Sequence, residues 1–142
     1  MEAIMSTKEI QLSRKITNQI LHLAQQSADK EICGLIGSVN GVACSCYAIG
    51  NNSDHPQTRF QLDEKQQISA FSTMRDKGEG LFAIYHSHPT APAVPSITDI
   101  KLANYPDTNY LIISLSTKGI LEIRGFTIIN EIVEEMTLSL IS

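Results

Sequence analysis

The segment that most restricts the fold runs through five apolar or aromatic residues, Leu81 to Tyr85, and passes without a break into His86-Ser87-His88-Pro89. Successive side chains of an extended chain point to opposite faces, so a strand built from this run has to be covered on both sides. A second run, Tyr110 to Leu115, has the same character, and the two are expected to be central strands. Between them TAPAVP forms a stiff loop, after which Ser96 can cap a short helix that must stop near Pro106.

The remaining segments supply the covering layers. With Ser13 as N-cap, Ile16, Ile20, Leu23 and Ala24 fall on one face of a helix, and His22 points off that face. The stretch EICGLIGSVNGVACSCYAIG reads as two strands joined by Asn40-Gly41, a dipeptide that accepts the positive φ values of a tight hairpin turn. Residues 50–58 form a polar loop, and Phe60 to Leu62 are expected to pair briefly. Asp63 and Gln66 make a capping-box pattern ahead of a helix over about 64–77, with Gly78 as terminator. Two further strands are expected around 119–129 and 131–141. The expected class is α/β, a mixed sheet flanked by helices in a single domain spanning 1–142.

Composition narrows the function. The 142 residues are 42% hydrophobic and 18% charged, enough for one core and too few for two catalytic domains. A net charge of -4 offers no basic field for a phosphate backbone, which argues against nucleic acid as a partner. Three cysteines, Cys33, Cys44 and Cys46, make no disulfide framework, and a cytoplasmic location is expected. The first residues lack the apolar stretch of a leader, and no run approaches the ~18 apolar residues that span a bilayer. Neither export nor membrane insertion is expected.

The chemistry is concentrated in YHSHPTAPAVPSITD. His86 and His88 stand at i and i+2 at the end of a strand, so both imidazoles project from one face and two nitrogens can reach one ion. Asp99, in the first turn of the following helix, can be returned by the proline loop to add a carboxylate oxygen. Two histidines and one aspartate suit a tetrahedral zinc with its fourth position open, the arrangement of catalytic sites. Such chemistry also needs a carboxylate that is not a ligand, and Glu31 is the candidate because it opens an otherwise apolar strand. Ser96 and Asp99 form a capping box whatever else they do. Cys44 and Cys46 alternate on one strand face without further ligands and read as small apolar residues. Cys33 has no histidine nearby in sequence to lower its pKa, and His22 and His55 read as surface residues.

The chain resembles the JAMM (MPN-plus) zinc metalloprotease family, whose signature is an upstream Glu, then His-x-His, then Ser-x-x-Asp after seven intervening residues. The resemblance runs from Glu31 to Asp99 and on through PDTNYLIISLS. It implies a fold like that of the zinc nucleoside deaminases and one zinc ion held by His86, His88 and Asp99. Glu31 then matches the general base, and Ser96 the residue that stabilises the oxyanion. Deaminase chemistry itself is disfavoured, because the chain has no Cys-x-x-Cys. The resemblance implies hydrolysis of a peptide or isopeptide bond after the C-terminal Gly-Gly of a ubiquitin-like protein. The shortness of the chain points to the minimal prokaryotic members, some of which act on sulfur-carrier proteins. Three other readings stay open at this stage: a catalytically silent scaffold, a zinc-storage protein and a small-molecule amidohydrolase. The loop from Gly50 to Thr58 reads equally as a substrate contact or a solvated connection, and Arg59 and Phe60 as a packing pair.

Overall fold

The computed structural model describes residues 8–116 and 121–142. In chain order the elements are β1 (Glu9–Ser13), α1 (Arg14–Gln25), β2 (Cys33–Val39), β3 (Val42–Ile49), α2 (Glu64–Asp76), β4 (Gly80–His88), α3 (Ile97–Leu102), β5 (Asn109–Ser114), β6 (Glu122–Ile129) and β7 (Ile132–Ile141). The strands form one sheet in the order β1-β7-β6-β5-β4-β2-β3. β4 lies parallel to β5 and β1 parallel to β7, while the remaining pairs are antiparallel, so the sheet is mixed as expected.

Helices cover both faces. Ser13 caps α1 by accepting a hydrogen bond from the Ile16 amide, and Ile16, Thr17, Ile20 and Ala24 are buried. Leu23, expected on that face, is only half-buried. Twelve residues make a marginal helix in water, so α1 depends on docking; each buried isoleucine contributes about 1.5–3 kcal/mol. It packs over Leu12, Ile36, Ala83, Tyr85, Leu111 and Ile113. On the other face Ala70 and Met74 of α2 join Leu35, Ile49, Ile84, Tyr110 and Ile128. The outermost strands β1 and β3 touch each other beside α1, so the sheet is curled.

Several details depart from the sequence reading. β1 was not expected; its five residues gain a partner only from β7, at the far end of the chain. The last helix stops at Leu102, before Pro106 can terminate it. β6 is described from Glu122, and the first residues of the strand expected at 119 lie outside the described residues. The box at α2 is half formed: Asp63 accepts from the Gln66 amide, but the Gln66 side chain accepts instead from the Gly50 amide, at 2.7 Å. Cys44 and Cys46 do not share a face. A bulge pairs Gly37 with Ser45 and Ser38 with Ala43, leaving Cys44 unpaired and turned toward Glu79, while Cys46 reaches the Tyr85 hydroxyl.

Gly34 shows how tightly β2 is enclosed, since a Cβ there would collide with the Tyr47 carbonyl oxygen and the Tyr85 ring. Neither the strand backbone nor the fully buried tyrosine can yield. Gly34→Ala is therefore expected to cost about 1–3 kcal/mol in urea unfolding; unchanged stability would mean that the Tyr85 ring and β3 yield to a methyl group.

Candidate metal centre and active site

β4 distributes its side chains between the two layers. Ala83 and Tyr85 belong to the core under α1 and Ile84 to the core under α2, so His86 and His88 follow Ile84 and Ser87 follows Tyr85. The Nε2 atoms of His86 and His88 lie 3.1 Å apart, and Asp99 Oδ2 lies 3.0 Å from the first and 3.2 Å from the second. Both rings are buried.

The aspartate is returned to the strand end by an anchored loop. The Ser114 hydroxyl donates to the Ala91 carbonyl, the Leu115 amide donates to the His88 carbonyl, and Ala93 is buried against Ile112 and Phe126. Ser96 then caps α3: its Oγ accepts from the Asp99 amide at 3.0 Å, and its amide donates to Asp99 Oδ2 at 2.9 Å. The oxygen that completes the capping box is the one that faces both imidazoles. Capping and ligation are thus one geometry, and neither excludes the other.

The donor set fits a small divalent cation. Ligands about 2.0–2.1 Å from a tetrahedral zinc are about 3.3 Å from one another, close to the three separations found here. His88 Nδ1 lies 2.7 Å from the Pro92 carbonyl, which can only accept, so in the neutral ring the proton sits on Nδ1 and Nε2 presents its lone pair to the cluster. His86 Nδ1 is buried without a partner among the described residues.

Glu31 reaches the cluster by register. Cys33 pairs with His86, so continuing the antiparallel ladder sets Ile32 opposite Ser87 and Glu31 opposite His88, and residues directly opposite share a face. The Ser87 amide donates to the Ile32 carbonyl at 3.0 Å, and the Ile32 amide donates to Ser87 Oγ at 2.8 Å. Glu31 was expected to open the strand; it precedes β2 by two residues and is 4% exposed. One of its carboxylate oxygens and one nitrogen of each histidine lie within 4.8 Å of one another, and its Oε1 has no partner among the described residues.

Burial and charge set the protonation states. Burial pushes Glu31 up to about 8, although the charge of His88 pulls the other way. Burial also lowers His86, more than the neighbouring Asp99 raises it. For Asp99, burial acts upward, but the two neighbouring imidazoles and the hydrogen bond from the Ser96 amide hold it well below the usual carboxylate range. Cys33 is pushed up to about 12 by burial and by Glu31, so it stays a thiol. His22 and His55 are exposed, as expected.

Two residues near the cluster carried no role in the sequence reading. Arg59 is exposed, and the Phe60 ring stacks on His86 with centroids 4.3 Å apart and planes at 22°. Asn51 binds the Glu31 carbonyl. The available signal was Phe60's position in a polar surrounding, where an aromatic needs a partner that the sequence does not name. Beside His86 and Asp99 opens a cavity of about 360 Å³, with Phe60, Leu62, Tyr105, Tyr110, Ile112 and Ile128 in its walls.

Comparison with known families matches residues 13–126 to the prokaryotic homologs of the JAB domain, the Prok-JAB family. This chain belongs to that family. Among its relatives, the Mycobacterium tuberculosis CysO-cysteine peptidase is 31% identical over 121 residues, 84% of this chain and 83% of that protein. The Haloferax volcanii desampylase is 27% identical over 116 residues, 78% of this chain and 84% of that one. The solution structure of protein DSY2949 from Desulfitobacterium hafniense superimposes with a TM-score of 0.83 at 32% identity, covering 93% of this chain and 92% of the other. The Prok-JAB match contains Glu31, His86, His88, Ser96 and Asp99.

The raised pKa of Glu31 has a measurable consequence. Between its ordinary 4.5 and about 8, the folded metal-free protein holds a proton at Glu31 that the unfolded chain has released. Stability contributed at this group is present below pH 4.5 and is lost as pH rises through about 8. In chelator, Glu31→Gln is expected to match wild type in urea unfolding at the acid end and to become the more stable protein at the alkaline end. A difference that does not vary with pH would show that Glu31 does not titrate in this window.

Proposed function

We propose that this Prok-JAB chain is a zinc-dependent hydrolase that cleaves a peptide or isopeptide bond after the C-terminal Gly-Gly of a ubiquitin-like protein, a sulfur carrier being the best fit. The observation that carries the reading is the convergence of His86 Nε2, His88 Nε2 and Asp99 Oδ2 within 3.2 Å, with the buried Glu31 carboxylate beside them. Relatives that are a peptidase and a desampylase support amide hydrolysis over small-molecule chemistry. The full set of donor residues argues against a silent scaffold. Three free cysteines support a cytoplasmic setting, and no described helix is long and apolar enough to cross a membrane.

In this mechanism His86, His88 and Asp99 hold one zinc ion, which when bound supplies Lewis acidity at the scissile carbonyl and brings the pKa of water toward about 7. Glu31 takes the proton of the attacking water on its unpartnered oxygen and delivers it to the leaving amine nitrogen as the C–N bond breaks. To take that proton the carboxyl must be ionised, the form that a cation bound beside it would favour. Ser96 Oγ accepts from the Asp99 amide, so its own proton is free to donate to the developing oxyanion. A Gly-Gly tail, which has no side chains to clear, brings its backbone close to such a centre most easily. The cavity beside His86 offers an apolar wall for the chain leading up to it.

Protein purified without chelator is expected to carry near one zinc per chain, and Asp99→Ala much less. Equal zinc in both would remove Asp99 from the ligand set. Incubated with a ubiquitin-like protein extended by one residue beyond Gly-Gly, wild type should release that residue, read by intact mass. Chelator should stop the reaction and added zinc restore it. Glu31→Gln should keep the metal and lose turnover, and Ser96→Ala should slow cleavage about a hundred- to a thousandfold. Near wild-type cleavage by Glu31→Gln would overturn its role as base.

A further inference from the structure

Glu31 lies outside any regular element, yet its carboxylate has to be held against the histidines. Its backbone is tethered at several points. The Glu31 amide donates to the Pro56 carbonyl at 2.7 Å, and the Ile32 amide donates to Ser87 Oγ. The third tether is a side chain: Asn51 Nδ2 donates to the Glu31 carbonyl at 3.0 Å.

Asn51 does more than this single bond requires. The same Nδ2 donates to the Arg59 carbonyl at 3.0 Å, and Oδ1 accepts from the Ser53 and Gln61 amides, each at 3.0 Å. An amide side chain has two donor hydrogens and two acceptor lone pairs, and all four are used. The loop that it fills is closed beneath it by the Asn52 amide on the Gln61 carbonyl and by a backbone bridge between Asn51 and Leu62. That loop contains Pro56, which holds the Glu31 amide, and Phe60, which braces the His86 ring. One side chain therefore joins the backbone of the candidate base to the support of a candidate ligand. No other residue type of this size can replace it, because aspartate lacks the donors and leucine lacks both functions.

We propose that Asn51 is a positioning residue, which holds Glu31 and the 52–61 loop as one rigid unit so that the carboxylate stays aligned with the reacting water. The proposal rests on the reading of Glu31 as the base. The Asn51 side chain bonds only backbone groups, the Glu31 carbonyl among them, and acts through Glu31.

The test is a double-mutant cycle on the zinc-loaded protein, with the Gly-Gly-extended carrier as substrate. Asn51→Asp keeps the two acceptor bonds, loses the two donor bonds and sets a carboxylate oxygen against two carbonyls. It is expected to lower kcat about 10- to 100-fold with KM within about twofold and zinc content unchanged. In a Glu31→Gln background the same change should produce little further loss, because its effect passes through the missing base. Full additivity, or wild-type kcat in Asn51→Asp, would overturn the proposal. Near wild-type turnover in Glu31→Gln alone would instead overturn the assignment of the base. Hydrogen exchange of the metal-free protein supplies a readout independent of activity. In Asn51→Ala the Ser53 and Gln61 amides lose their acceptor, and the Glu31 amide, bonded to Pro56 and not to Asn51, should also exchange at least tenfold faster. Protection of the Glu31 amide at the wild-type level would show that the two segments are not coupled. Should both variants fail to fold, Asn51→Ser, which keeps one donor and one acceptor, takes their place, and wild-type kcat with wild-type protection of the Glu31 amide there would overturn the proposal.

Discussion

The pairing of β2 with β4, Cys33 opposite His86, is the contact on which the rest of this structure depends. β4 is flanked by β5 on its other side and covered by a helical layer on each face, so every residue from Ala83 to His88 is buried. A strand in that position cannot slide: a shift by one residue would exchange Tyr85 and Ser87 with Ile84 and His86 and turn the imidazoles into the layer under α1. The same ladder carries Glu31 to the histidines although 55 residues separate Glu31 from His86. Core packing and site assembly are thus one constraint.

The cluster places two carboxylates and two imidazoles almost out of water, which costs free energy unless charge and hydrogen bonding offset it. Asp99 is compensated. Its Oδ2 receives the Ser96 amide and faces both rings, so it remains ionised. Glu31 is not: one oxygen lacks any partner, and the group prefers to be neutral. A cation bound by the three donors would reverse that preference, since a positive charge beside a carboxyl favours its ionised form. The contrast between a compensated and an uncompensated carboxylate separates the candidate ligand from the candidate base more clearly than their positions in the chain do.

Much of this was legible in the sequence because it is local. The hairpin over Asn40-Gly41, the caps at Ser13, Asp63 and Ser96, and the doubly covered strand before His86 each depend on a few neighbouring residues, and each is present. So are the i, i+2 projection of the histidines and the Ser96–Asp99 box. What was not legible depends on contacts between distant segments. β1 carries only the brief alternation of Ile10 and Leu12, and its five residues become a strand only when β7 lies alongside. The bulge that turns Cys44 away from Cys46 arises from the fit of β3 to β2 around Gly37. Asn51 reads as a loop residue and Phe60 as the start of a brief pairing run until the curl of the chain brings them against Glu31 and His86.

By itself, therefore, the sequence determined most of the secondary elements, the five candidate site residues and the face from which the histidine pair projects, since propensity, capping and side-chain alternation act over a handful of residues. Tertiary structure alone decided that Glu31 meets that pair, that the oxygen of Asp99 serves the helix cap and the cluster together, and that Asn51 holds the loop beside them. The register of an antiparallel ladder and the closure of a loop are set by burial of both faces of the sheet, a property of the assembled chain and of no segment within it.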